Sequence, residues 1–256
     1  MAQVDLNADM GESFGPWTMG DDPALLDIVT SANIACGFHA GDWDTMARTM
    51  GAAVDRGVGI GAHPGFPDLQ GFGRRQMRMD HDSMGRMVQY QLGAARAMAR
   101  AAGGEVRHLK LHGALSNMAV ADADMARAAY GAALAVDPDV ILVVLAGTPM
   151  QRVAEDLGAR HACEIFADRG YAEDGTLIPR GQPGALIEEA TDAAARVSRM
   201  VREGGIVTAS GARIETRIDT VCLHGDAPGA VDAARAVRAR LLADGVEIAR
   251  FGGDGP

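Results

Sequence analysis

One lysine, Lys110, stands among the 24 lysine and arginine side chains of this 256-residue sequence. Where only a positive charge is wanted, either residue serves. A single exception in an arginine-rich chain marks a position that needs a compact ammonium. Such a group can act as base, nucleophile or fixed charge and is tuned by burial, whereas a guanidinium stays charged and broad. Lys110 lies in Lys110-Leu111-His112-Gly113, at the end of an apolar run. Four of the seven histidines, His39, His63, His112 and His224, likewise end or follow apolar runs. One histidine so placed is usually a satisfied core residue; four together point to proton transfer or polarisation of a substrate.

Asp5 and Asn7 flank Leu6 and so share one face of a strand, with Asp9 and Glu12 just beyond. A carboxylate on an inward face is costly unless paired or bound to a metal. Asp9, His39 and His63 make an N/O donor set that suits Zn, Mn or Fe, although no His-Glu-x-x-His signature is present. Turn formation and helix capping are the competing reading for Asp9 and for Asp21-Asp22. Arg74-Arg75, Arg169 and Arg180 are candidates for a clamp on an anionic substrate, against the plainer reading of solvated surface arginines.

Short β-like runs alternate with helical ones and must position these groups. The strands are expected at Val4–Ala8, Ala32–Cys36, Gly59–Ala62, Val106–Leu111, Val140–Leu145, His161–Phe166 and Thr220–Leu223. Helices are expected at Pro23–Thr30, Asp44–Arg56, His81–Ala102, Asp122–Ala135, Pro149–Leu157, Ala185–Glu203 and Pro228–Ala243. This alternation implies parallel strands joined by right-handed crossovers. Polar, Gly-rich clusters follow six of the seven strands; examples are Gly37-Phe38-His39-Ala40-Gly41-Asp42, His63-Pro64-Gly65 and His224-Gly225-Asp226. An open sheet would gather them at one switch point, whereas a closed barrel opens all its strand C-termini on one face. The expected fold is therefore α/β, a single-domain (β/α) barrel of seven strands over residues 1–256. A long Gly/Pro-rich connection runs through Arg169–Gln182, and Gly252–Pro256 reads as a frayed tail.

The net charge of −10 and pI near 5.1 argue against nucleic acid or an anionic membrane as partner. No run is long enough to span a membrane, and Met1-Ala2-Gln3-Val4-Asp5 does not begin a secretory signal. Cys36, Cys163 and Cys222 read as reduced, buried thiols, so the expected location is cytoplasmic. Neither a Gly-x4-Gly-Lys-Ser/Thr phosphate loop nor a Gly-x-Ser-x-Gly elbow occurs. The glycines of Gly57-Val58-Gly59-Ile60-Gly61 lead into a strand rather than a helix, which is the wrong context for a dinucleotide.

Seven blocks taken together resemble the LamB/YcsF family, described as the A component of the prokaryotic 5-oxoprolinase. They are Asp5–Glu12, Ser31–Asp42, Gly61–Asp68, Phe72-Gly73-Arg74, Arg107–Lys110, Phe166–Tyr171 and Thr220–Asp226. The resemblance implies a TIM-like barrel of the glycoside hydrolase/deacetylase type. It also implies lactam utilisation, in which 5-oxo-L-proline is opened to L-glutamate with coupled ATP hydrolysis, together with partner subunits B and C. With no phosphate loop here, ATP is expected to enter through those partners. On that reading Asp9 or His63 is the base, Lys110 stabilises developing charge, and His112 or His39 carries the proton. Asn7, Glu12, His39, Arg74, Asp168, Arg169, Tyr171 and His224 are the candidate substrate contacts. Two positions depart from the family pattern: Leu111 replaces a proline and Ser116 a tyrosine. The alternatives are a metal-dependent deacetylase or amidohydrolase acting on a small amide or N-acetyl sugar, and a non-catalytic binding subunit.

Overall fold

The apolar runs form short strands because each is buried on both sides, by the barrel interior and by a surrounding helix. The computed structural model describes residues 2–187, 189–224 and 229–253. In chain order the elements are β1 (Gln3–Met10), α1 (Asp22–Leu26), β2 (Ser31–Ala35), α2 (Trp43–Asp55), β3 (Gly59–His63), α3 (His81–Ala101), β4 (Val106–Lys110), α4 (Gly113–Ala121), α5 (Ala123–Val136) and β5 (Ile141–Leu145). There follow α6 (Pro149–Asp156), β6 (His161–Phe166), α7 (Ala190–Glu203), β7 (Gly205–Val207), β8 (Arg213–Glu215), β9 (Thr220–Leu223), α8 (Ala230–Ala243) and β10 (Glu247–Ile248). Strands β1 to β6 and β9 pair in parallel in that order, and β9 returns to β1. The sheet therefore closes into the expected seven-stranded barrel.

Aspartates start many of the helices. Asp21, Asp42, Asp80 and Asp122 each accept a bond from a first-turn backbone N–H of α1, α2, α3 and α5. The expected helical spacing in α3 is realised as a buried stripe of Met84, Met87, Val88, Gln91, Leu92, Ala95 and Ala99. Some expectations are corrected. Helix α7 begins at Ala190, not Ala185, because Leu186 and Ile187 pair with Arg169 and Asp168 in the preceding loop. Helix α4, the β7–β8 hairpin and β10 were not expected; all are short, and α4 starts in a segment read as a polar post-strand cluster. The tail is not frayed at Gly252 and Gly253, whose carbonyls accept from Arg160. Asp226, Pro228 and residues 254–256, on which other expectations fell, lie outside the described residues.

Strand register decides which residues enter the barrel. Asp5, Asn7 and Asp9 of β1 share the inner face with Ser31 and Asn33, Gly61 and His63, His108 and Lys110, Glu164, and Thr220 and Cys222. The interior is thus strongly polar on one side, while Ile141, Val143, Ala162 and Phe251 form a small apolar cluster. Gly61 within β3 has a packing reason. A β-carbon there would lie 2.0 Å from His108 Nε2, so the missing side chain is the space through which His108 reaches Asn33 Oδ1 at 2.8 Å.

Asp5 lies at the closed end of this interior. Its carboxyl accepts from Thr30, Ser31 and Thr220 hydroxyls at 2.6–2.7 Å, and burial pushes its pKa up to about 6 from 3.8. The fold therefore favours protonated Asp5. This stabilisation is full below about pH 4 and is lost as pH rises to about 6, a difference of roughly 3 kcal/mol. Asp5→Asn keeps the shape and removes the titration. The stability of the variant relative to the native chain, from thermal or urea unfolding, should shift in its favour by about that amount between pH 4 and pH 7. A pH-independent difference would refute this account of Asp5.

Candidate active site

Lys110 ends β4 with its side chain inside the barrel mouth and 5% exposed. Its ammonium donates to Glu164 at 2.8 Å, Asp9 Oδ1 at 3.0 Å, Cys222 Sγ at 3.0 Å and Asn7 Oδ1 at 3.4 Å, with the Phe166 ring 5.2 Å away. Burial alone would lower this lysine, but the Asp9 and Glu164 carboxylates outweigh it and hold Lys110 well above its usual value. A lysine held in its charged form suits the charge-stabilising reading of Lys110 better than the base or nucleophile readings. Burial works equally to raise Asp9, yet His63 and Lys110 hold its carboxyl well below the usual range. Burial pushes the Cys222 thiol well up, which keeps it protonated.

Asp9 Oδ2 lies 3.3 Å from His63 Nε2, and His63 Nε2 lies 3.0 Å from His112 Nδ1. The outer nitrogens of both rings meet carbonyls: His63 Nδ1 is 2.7 Å from Lys110 O, and His112 Nε2 is 2.8 Å from Phe72 O. His39 stacks flat on His112 with centroids 3.6 Å apart, and its Nε2 lies 3.6 Å from Glu12 Oε1. Burial, then the neighbouring imidazoles, hold His39 well below its usual value; burial brings His112 down to about 3.

Loops held by distant side chains set this geometry. The Gln91 amide of α3 brackets the backbone of Gly65 with two 3.0 Å bonds. Asp22 accepts from Gly11 N–H and so fixes the turn that carries Glu12. Phe72, among the described residues the one non-glycine with positive φ, aims its carbonyl at His112, and its ring meets His39 and His112 nearly at right angles. Strain of that kind persists where its surroundings enforce it. Next to it, Gly73 has φ +62, and a β-carbon would lie 2.7 Å from His39 Cβ and 2.9 Å from His112 Cδ2. Gly73→Ala should displace both rings and lower turnover of the intact enzyme at least about tenfold, since misplacement of about 1 Å is costly in catalysis. Steady-state kinetics check this, and an unchanged kcat would contradict the packing argument.

The predicted site residues divide into groups. Asp9, His63, Lys110 and His112 meet, with Asn7 below Lys110 and Glu12 and His39 beside the histidines. His224 bonds Asp168 at 2.7 Å and stacks on Phe166, within donor range of Asp9 and Cys222. Arg74 is exposed and lies over the Phe72 ring at 5.3 Å. Two expectations are corrected. Tyr171 is fully buried and its hydroxyl accepts from Phe166 N–H, so it packs in the core instead of facing substrate. Arg169 is also buried; its guanidinium donates to the Ala185 and Ile178 carbonyls and staples the long loop. Arg75 pairs with Asp68 within its own loop. Among the described residues Glu12, His39, His63 and His112 each bring one donor atom within 4.8 Å of the others, whereas Asp9, one of the candidates taken with His39 and His63, groups in the same sense with Cys222 and His224. Glu164, Asn33 and His108 were missed. Their signal was a polar residue at an inward-facing position of an otherwise apolar strand.

The LamB/YcsF family model matches residues 4–254. The A component of a 5-oxoprolinase from Ruegeria pomeroyi is 62% identical, covering 98% of this chain and 99% of that protein. Its counterpart from Methylococcus capsulatus is 53% identical over 98% and 96%. The crystal structure of a lactam utilization protein from Thermus thermophilus superposes with a TM-score of 0.92 at 44% identity, covering 97% of this chain and all of that one. Barrel, interior polar network and near-full-length similarity agree: the chain belongs to the LamB/YcsF family.

Proposed function

We propose that this chain is the lactam-opening A component of a 5-oxoprolinase, taking 5-oxo-L-proline, ATP and water to L-glutamate, ADP and phosphate. ATP enters through partner subunits B and C, in keeping with the absence of a phosphate loop in this sequence. A cytoplasmic location, where ATP is at hand, fits that coupling. The names of the curated relatives support the reaction. The observation that carries the reading is the fixed ammonium of Lys110 at the barrel mouth, bonded to Asp9 and flanked by His63 and His112.

Ring opening breaks the lactam C–N bond, adds a water oxygen to the carbonyl carbon and gives the leaving nitrogen a proton. Lys110 supplies preorganised positive charge where the lactam oxygen becomes negative. Asp9 and His63, 3.3 Å apart, orient the water and take its proton. His112 lies one bond further along the same chain of contacts and can return a proton to the nitrogen. The exposed Arg74 beside Phe72 and the Asp168–His224 pair beside Asp9 suit the substrate's carboxylate and amide. Glutamate formation from 5-oxo-L-proline should require ATP and should rise sharply when subunits B and C are added. ATP-independent release of acetate from small N-acetyl compounds by this chain alone, with no glutamate from the complex, would favour the deacetylase reading.

A further inference from the structure

The carboxylates of Glu164 and Asp9 set the direction of a hydrogen-bonded chain inside the barrel, beneath the site. The Asn7 NH2 donates to Glu164 Oε1 at 3.1 Å and to the Thr220 hydroxyl at 2.7 Å, and that hydroxyl donates on to Asp5. Both Asn7 protons are then used, so Asn7 Oδ1 can only accept. Asn33 faces that oxygen at 2.7 Å and Asp9 Oδ1 at 2.9 Å, and must present its NH2 to both. Its carbonyl is thereby turned the other way, to His108 Nε2 at 2.8 Å, which must carry a proton.

His108 meets that demand in one form. Burial, then the Arg107 and Lys110 charges, bring its pKa down to about 3, so the ring is neutral and has a single N–H. With the proton on Nε2, Nδ1 keeps a bare lone pair. Nδ1 is indeed buried with no hydrogen-bond partner among the described residues. A buried polar atom left unpaired calls for an explanation. Here the same ring, seated against Gly61 and Phe251, spends its one proton on the Asn33 carbonyl. We propose that Asn33 and His108 are positioning residues for Asp9: His108 locks the Asn33 amide, and the locked amide holds Asp9 Oδ1 so that Oδ2 faces His63. Without the His108 N–H the amide is free to flip, which would set its carbonyl against the Asp9 and Asn7 oxygens. Both residues are fully buried and act only through Asp9.

This role rests on the reading of Asp9 as the group that takes the water's proton. In the reconstituted complex, His108→Phe keeps a ring and removes the donor. It should lower kcat about ten- to hundredfold, with KM changed less than about threefold. Asn33→Asp should act alike, by setting an oxygen against Asp9. His108→Gln, whose amide can donate at the same end, should lose clearly less than His108→Phe. In an Asp9→Asn background, His108→Phe should change the residual turnover less than about twofold, because the group it positions is gone. Circular dichroism verifies that each variant is folded. Native kcat in folded His108→Phe, equal losses in His108→Gln and His108→Phe, or losses that add across the cycle would overturn the proposal. Nitrogen NMR of the chain alone should show neutral His108 with its proton on Nε2 from about pH 5 to 8, and a proton on Nδ1 would overturn it too. If glutamate forms and the losses add, only the positioning is wrong. If the native complex forms no glutamate, the reaction is wrong, and the pair stands or falls by whether Asp9→Asn and His108→Phe are coupled in urea unfolding.

Discussion

Lys110→Arg is expected to lower kcat of the reconstituted complex by about 100-fold or more, although the charge is kept. The native ammonium fits among Glu164, Asp9, Cys222 and Asn7 oxygen and sulfur atoms at 2.8–3.4 Å. A planar guanidinium is wider and longer, and cannot meet acceptors arranged around a single point. Lys110→Met should cost about 100–1000-fold in kcat, because no charge remains for the transition state. It should also destabilise the fold by about 3–5 kcal/mol, since Asp9 and Glu164 would stay buried without their counter-ion. As the folded lysine is held above its usual value, its charge contributes stability that persists to alkaline pH and is lost only above the ordinary lysine range. The native kcat should accordingly show no alkaline limb from Lys110 below about pH 10. Kinetics of both variants alongside urea unfolding would check this; an arginine variant with native kcat would remove the lysine from the mechanism.

The barrel was legible because its evidence repeats along the chain. Each apolar run ends in a polar cluster, and only a closed parallel sheet puts so many such ends on one face. The uniqueness of Lys110 was legible for a chemical reason, the difference between ammonium and guanidinium. What stayed hidden was pairing across the barrel. Glu164 lies 54 positions after Lys110, and nothing local joins them; only the parity of strand register brings them within 2.8 Å. Arg169 and Tyr171 sit in a family block and look functional by type, but burial turns their polar atoms to backbone groups of their own loop and strand. That Glu12 joins Asp9 beside the histidines depended on a turn anchored by Asp22, which strand periodicity does not encode.

Asp9→Asn is expected to reduce kcat by about 100–10,000-fold, the span associated with losing a positioned acid–base group. Asp9 is the hinge between the two halves of the site: Oδ1 accepts from Lys110 and Asn33, and Oδ2 faces His63 at 3.3 Å. An asparagine matches its shape but must set an NH2 against one of these donors, and it can take no proton from water. The native carboxyl is held well below its usual range, so it contributes stability that is present at neutral pH and lost only as pH falls through that depressed value. Asparagine should therefore lower stability at pH 7 and narrow the gap toward strongly acidic pH. The trend is opposite to that of Asp5→Asn, whose folded pKa is raised. That opposition separates two aspartates four residues apart on one strand face: the inner one tolerated as a neutral hydrogen-bonding group, the outer one kept charged by a lysine and a histidine. Parallel pH–stability profiles for the two variants, or near-native turnover in Asp9→Asn, would contradict this assignment.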